Sequence, residues 1–210
     1  MRIIDEVRID HRLIDRVTGS LMRWSDRGVD HAHAAGDKDD LVRFLRVCVE
    51  GRHHSTEEVL FRALVEHGEI PGDRGPLAVL RREHGVVADA VDRLDAAGLD
   101  PTSVDLARTL ASDLWQHLDK EESVLLPEAE RRLIDGGIRE LADPPLSAPE
   151  LAVRDLGRTL IERLPPMDHP DLIRGAGCIA CAAFGEDCHG IETEWWSDWE
   201  RMHYRSLDEG

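Results

Sequence analysis

Histidines interrupt the apolar faces of four predicted helices, and two of these helices carry a glutamate four residues after a histidine. Residues four apart lie on the same face of a helix, so such a pair can point at one metal ion. Buried imidazoles and carboxylates are costly unless they are paired or bind a metal. The pattern therefore predicts a metal site inside a helical protein. It is formed by His11, by His53, His54 and Glu57, by His84, and by His117 with Glu121.

The residue types indicate which metals would suit such a site. Imidazole and carboxylate together suit iron or manganese, whereas imidazole alone would also suit zinc or copper. A glutamate from each of two helices can bridge a pair of ions. Each piece has a simpler interpretation when it is taken alone. A single core histidine is usually hydrogen-bonded, and a histidine–glutamate pair is common on helix surfaces. The recurrence on four helices favours the metal.

The elements that must position these residues can be read from the spacing of apolar side chains. This spacing predicts helices over about 2–24, 39–67, 76–97 and 102–134, with a polar loop over 31–40. Aromatic residues make up only 4% of the chain, so its core depends on aliphatic side chains, which suit helix packing. Four amphipathic helices with short connections predict an all-α fold, an up-down-up-down four-helix bundle.

The character of the chain changes after about residue 143, where Pro144 and Pro145 suggest a linker. We expect the bundle to occupy residues 1–140 and a helical, cysteine-containing extension to occupy 141–210, with a helix over about 149–164. Cys178, Cys181 and Cys188 form a CxxC-x6-C loop there. Such thiolates can hold zinc or an iron–sulfur centre, and the alternative is a set of free thiols in a glycine-rich turn.

The charge of the chain restricts its partners. Its 43 acidic and 26 basic residues give a formal net charge of −17. A negative surface repels phosphate backbones and anionic lipids, so neither nucleic acid nor a membrane is an expected partner. The first residues lack the apolar stretch of a signal peptide, and no run is long enough to span a bilayer. We therefore expect a cytoplasmic protein. The sequence contains no motif that identifies a protein partner.

The stretch HHSTEEVLFRALVEHGEIPGDRGPLAVLRREH resembles the hemerythrin-like (HHE) cation-binding family. Its motifs occur in the family's order, and RIDHRLI and HLDKEESVLLP supply the outer parts, so the resemblance covers about residues 1–135. It implies a four-helix bundle holding two non-haem, carboxylate-bridged iron ions. Glu57 and Glu121 would be the bridges, and Glu58 or Glu122 would replace them if the helix register differs by one. The implied histidine ligands are His11, His53, His54, His84 and His117.

One departure from the family pattern bears on function. Oxygen-carrying hemerythrins have a His-x-x-x-His pair on the third helix, but Leu80 and Ala88 flank His84 at that spacing. His54 can supply the missing nitrogen. The resemblance thus favours a protein that binds or reacts with hydrogen peroxide, dioxygen or nitric oxide, as a peroxide-decomposing or stress-response oxidoreductase. The alternatives are a non-catalytic oxygen or iron sensor and a bundle that metal merely stabilises.

Overall fold

The structure, a computed structural model, describes residues 1–73, 75–142 and 145–169, and within these ranges it contains helices and no strand. The all-α prediction is therefore confirmed for the described part of the chain. Two π-helical segments, Leu45–His53 and Glu121–Leu125, interrupt otherwise α-helical stretches. The α-helices are α1 (Arg2–Arg27), α2 (Ala34–Phe44), α3 (His54–His67), α4 (Gly75–Ala96), α5 (Pro101–Lys120), α6 (Leu126–Asp135) and α7 (Ala148–Arg163). The predicted CxxC-x6-C loop lies outside the described residues.

The π segments change the helical hydrogen-bonding pattern but do not end the helix, so long helical columns result. Helical residues run continuously over 34–67 and over 101–135, and together with α1 and α4 they form four columns. None of the described helices is both long and apolar enough to cross a membrane. Local sequence explains where helices begin. Asp100 and Ser147 each accept a hydrogen bond from the backbone three residues on, and a proline stands in the first turn of both following helices.

The second column begins earlier than the sequence predicts, so the expected polar loop over 31–40 is wrong for most of its length. The structure has helix from Ala34, and Asp37 and Lys38 are buried. The ammonium group of Lys38 donates hydrogen bonds to the carbonyl oxygens of Leu94, at 2.9 Å, and Asp95, at 3.2 Å. The sequence predicts a loop here because the segment is rich in charged residues. The hydrogen-bond partners of Lys38 lie at the end of α4, far away in the chain.

Two apolar clusters lie above and below a polar layer. One contains Ile14 of α1, Val87 of α4 and Leu114 of α5, and the other contains Val7 of α1, Leu80 of α4 and Leu125. Each of the four columns contributes to both clusters and carries its candidate metal ligands between the two. The burial of these aliphatic side chains stabilises the fold and keeps bulk water from the polar layer.

Helix α7 packs against α1, against α2 and against the first π segment. Its residues Val153, Leu160 and Ile161 belong to the same apolar cluster as Ile14. The helix predicted over 149–164 is thus confirmed within one residue at each end. The division at residue 140 stays a prediction, but the core is continuous across it.

Close packing between α7 and α2 provides a test of this arrangement. A Cβ atom on Gly157 would lie 2.6 Å from Cε2 of the buried Phe44, so Gly157→Ala should destabilise the protein by about 1–3 kcal/mol. Gly36 in α2 has no atom within 4 Å of such a Cβ, so Gly36→Ala should be neutral or stabilise by up to about 1 kcal/mol. Denaturant unfolding of both variants measures the difference. Equal stabilities would show that α7 is not docked as described.

Candidate metal centre

The polar layer brings together the side chains that the sequence nominates as metal ligands. His11 comes from α1, His84 from α4 and His117 from α5. His53 and His54 lie where the first π segment passes into α3, with Glu57 one turn further, and Glu121 begins the second π segment. Glu57 and Glu121 are fully buried, whereas the side chain of His84 is 14% exposed, more than those of His11, His53 and His117.

The side chains form two groups that share Glu57. In each group the potential ligand atoms lie within 4.8 Å of one another. Oε1 of Glu57 is 3.2 Å from Nε2 of His53 and 3.6 Å from Nε2 of His11, whereas its Oε2 is 3.2 Å from Nε2 of His84. The two oxygens of this carboxylate therefore face different groups. One group is His11, His53, Glu57 and Glu121, and the other is His54, Glu57, His84 and His117.

Glu121 also spans the two groups. Its Oε2 lies 3.2 Å from Nε2 of His11, and its Oε1 lies 3.4 Å from Nε2 of His117. His11 belongs to the first group and His117 to the second. Each of the two glutamates thus has one oxygen within 3.4 Å of an imidazole nitrogen of either group.

Polar atoms of these side chains lack hydrogen bonds although they are buried. Both carboxylate oxygens of Glu57 and of Glu121 have no hydrogen-bond partner among the described residues. Burying a polar atom without a partner costs free energy, so native proteins rarely leave several together. Imidazole nitrogens and carboxylate oxygens that converge without other partners fit a pair of cations. The histidine nitrogens that are likewise buried without a hydrogen-bond partner among the described residues are Nε2 of His11, His53, His54, His84 and His117.

Burial and neighbouring charges shift the pKa values of these groups. Burial lowers the pKa of His53 to about 3, and burial together with the nearby His84 lowers that of His54 to about 2. Both are therefore neutral near pH 7, which is the form of imidazole that binds metal. Burial, with the adjacent Glu57, raises the pKa of Glu121. Burial opposes ionisation of Glu57, but His53, His11 and His84 outweigh it and hold its pKa well below the usual range.

The first π segment explains how two adjacent histidines serve different groups. Successive residues of a helix point in different directions, and the π segment Leu45–His53 widens the helix just before the centre. His53 faces His11, with ring centroids 4.8 Å apart, while the ring of His54 stacks on His84 at 3.7 Å. Such π-helical insertions are frequent at functional sites. The sequence pattern indicated neither π segment.

Outer carboxylates fix the orientation of two of the histidines. Nδ1 of His11 donates a hydrogen bond to Glu122 at 2.7 Å, and Nδ1 of His117 donates one to Glu83 at 3.0 Å. Each bond leaves Nε2 facing the centre, which is how carboxylates commonly orient metal-binding histidines. Glu83 was not predicted from the sequence. It lies on α4 and its partner His117 lies on α5, so no spacing within one helix links the two residues. Lys120 pairs with Glu83 from α5.

The two glutamates named as alternative ligands lie outside both groups. Glu122 is half-exposed, contacts the outer nitrogen of His11 and lies 3.6 Å from Arg8. Glu58 forms an ion pair with Arg81, whose two nitrogens donate to its carboxylate at 2.9 Å. Their placement follows from the turn of the helix, because each is rotated by about a hundred degrees from its inward neighbour.

The sequence profile of the hemerythrin HHE cation-binding domain matches residues 2–129. The chain belongs to this family. The matched range includes every member of the two ligand groups, and α7 lies beyond it. Comparison with curated proteins found no match, and neither did comparison with solved structures. Family membership thus implies that the domain binds a metal cation, and the histidine–glutamate groups are able to hold it.

The outer carboxylates can be tested by metal retention. Glu83→Ala should weaken metal binding about 10- to 100-fold, because His117 loses the partner that orients it, and Glu83→Gln should be less affected because its amide oxygen still accepts a hydrogen bond. Glu66→Ala, a change at an exposed glutamate of α3, is the matched control. Competition with a chromogenic chelator measures retention, and melting of the metal-free variants checks folding. Unchanged retention in Glu83→Ala would contradict the role.

Proposed function

We propose that this protein is a non-haem di-iron protein that binds or reacts with a small oxidant such as hydrogen peroxide, dioxygen or nitric oxide. The observation that carries the proposal is Glu57, whose two oxygens face separate ligand groups and accept no hydrogen bond among the described residues. A mixed set of imidazoles and carboxylates suits iron. Family membership supports the cation, and the identity of the metal and its number are our inference.

The proposed ligand sets follow from the two groups. One iron would be held by His11 and His53, and the other by His54, His84 and His117. Glu57 and Glu121 would bridge the pair. The first iron has fewer protein ligands, so its coordination would leave more room for a small molecule. The cavity of about 290 Å³ that His11 and Glu122 line holds no other member of the ligand groups, and Glu122 contacts the outer Nδ1 of His11.

We further propose the up-down-up-down bundle as the arrangement that holds the centre. Along α1 the chain passes from the cluster containing Val7 to the cluster containing Ile14. Residues of the second column pass in the opposite order, from Val49 to Leu60, and α4 and the fourth column repeat the alternation. The extensive packing of α1 on α5 and of α4 on α5 also supports adjacent helices in a bundle.

The chain's own residues would prepare the centre for this chemistry. An iron pair, when bound, would give electrons to a molecule such as hydrogen peroxide or dioxygen and take them back from a reductant, a role that a second peroxide molecule can fill. Glu83 and Glu122 hold the imidazoles of His117 and His11 with Nε2 facing inward. The apolar clusters on both sides exclude bulk water, and the ring of Phe61 lies parallel to that of His84 with centroids 6.0 Å apart. Turnover of peroxide in a cytoplasmic stress response is the role we favour.

A sensor is the second candidate, and one contact favours it. Asp10, which precedes His11, is buried and forms an ion pair with Arg154 of α7. Helix α7 lies outside the range matched by the family profile and within the predicted C-terminal extension. A change in how His11 is held would therefore reach α7 through this ion pair and through the packing of α7 on α1. Non-catalytic sensing of oxygen or iron would use such a connection.

The bridging role predicts a difference between adjacent glutamates. Wild-type protein loaded anaerobically should hold about two irons per chain, and Glu57→Ala should lose at least one of them because both ligand groups share that carboxylate. Glu58→Ala is the matched control, since its side chain pairs with Arg81. Metal analysis together with the optical spectrum measures the outcome. One zinc and no iron in the loaded protein, or full retention in Glu57→Ala, would refute the proposal.

Peroxide turnover distinguishes the enzyme from the sensor. Adding hydrogen peroxide to iron-loaded protein should release oxygen over many turnovers, and the Glu57→Ala variant should lose this activity with its iron. An oxygen electrode read beside the spectrum follows both. A stable oxygen-dependent band without sustained turnover would favour the sensor and contradict the catalytic assignment.

A further inference from the structure

The outer surface between α1 and α7 contains a cleft of about 540 Å³. Four arginines line it in two pairs, Arg12 with Arg16 on α1 and Arg154 with Arg158 on α7. The members of each pair are four residues apart, so they share a face of their helix. The two faces meet across the cleft because α7 packs alongside α1.

Such a concentration of arginine is unexpected in this chain. Its formal charge is −17, yet the cleft has four arginines against the two acidic residues Asp10 and Glu162. Like charges four residues apart on a helix repel each other and cost stability. Ion pairs within the protein offset part of this cost, and an anion bound in the cleft would offset the rest.

The ion pairs within the cleft leave part of this charge available. Arg154 pairs with Asp10 and Arg158 with Asp155, both through short contacts. Nε of Arg154 remains buried without a hydrogen-bond partner in the described part of the chain. Arg12 and Arg16 are exposed and lie within 4 Å of no described carboxylate, although the charge of Arg12, after that of His11, helps to lower the pKa of Glu122. Guanidinium groups match the planar geometry of carboxylates and the oxygens of phosphates, often through two parallel hydrogen bonds.

The walls also indicate the size and character of the ligand. Residues four apart are separated by about 6 Å along a helix, and packed helices lie about 8–10 Å apart. A molecule with two anionic groups a few bonds apart can therefore reach both arginine pairs. Ile9, Leu13 and Ile161 line the same cleft and provide apolar contact for the carbon atoms between those groups.

We propose that the cleft between α1 and α7 binds a small organic anion that carries two phosphate or carboxylate groups. One wall comes from α1, within the hemerythrin domain, and the other from α7, beyond the residues that the family profile matches. The lining of the cleft shares no residue with the two ligand groups, and one of its walls is the helix beyond the matched range. The charge of its arginines selects anions, and its width selects those with two charged ends.

Titration calorimetry on the full, metal-loaded chain tests the site. The probe is propane-1,3-disulfonate at low, matched ionic strength, because sulfonates are weak iron ligands, and methanesulfonate is the single-charge comparison. The disulfonate should bind the wild-type protein at least tenfold more tightly than methanesulfonate does. Glutarate and propane-1,3-diyl bisphosphate then show whether carboxylate or phosphate is preferred, with iron content measured after each titration.

Variants separate the cleft from general charge effects. Arg16→Gln and Arg158→Gln each remove one guanidinium from opposite walls and should each weaken disulfonate binding at least tenfold. Arg108→Gln makes the same charge change at an exposed residue of α5 outside the cleft and should alter affinity less than twofold. Arg154 is left intact because it forms an ion pair with the buried Asp10. Absence of binding by the disulfonate, glutarate and the bisphosphate alike, or equal weakening in all three variants, would overturn the proposal.

Discussion

The buried carboxylate of Glu57 is the constraint on which the rest of the structure depends. A negative charge without hydrogen-bond donors is unfavourable in an apolar interior, and this one lies between two sets of imidazoles. Only positive charge placed on both sides would satisfy both of its oxygens. Glu121 repeats the situation from the opposite part of the fold. The helices must therefore bring at least four histidine-bearing segments to one layer, and the architecture achieves this.

The apolar layers offset the unfavourable free energy of burying the polar metal centre. Aliphatic clusters above and below contribute the hydrophobic stabilisation that the polar layer does not. The π segments adjust the helices locally, so that His53 and His54 reach different groups and Glu121 faces inward. Outer carboxylates then hold the imidazoles in one orientation, and their own partners, such as Lys120 beside Glu83, anchor them in turn.

Helix α7 packs against the bundle helices and extends their apolar core. It contributes Val153 and Leu160 to the main core and places Gly157 directly against Phe44, so it is integrated with the bundle helices rather than lying apart from them. Its ion pair with Asp10 brings the added helix within one residue of His11. The arginine cleft lies along the same junction. Metal chemistry and anion binding would thus be served by neighbouring residues of α1, since Asp10 and Arg12 of the cleft flank His11 in the chain.

The sequence by itself determined the helical class, the family and the residues that meet in the polar layer, because the period of 3.6 residues places His117 and Glu121 on one face whatever surrounds them. It did not show the start of α2, since the buried Lys38 takes its partners from the end of α4. Nor did it reveal Glu83 or the cleft. Those features join residues on different helices, and their contacts exist only after the helices pack. Local periodicity encodes which face of a helix is buried; tertiary packing alone decides which side chains meet there.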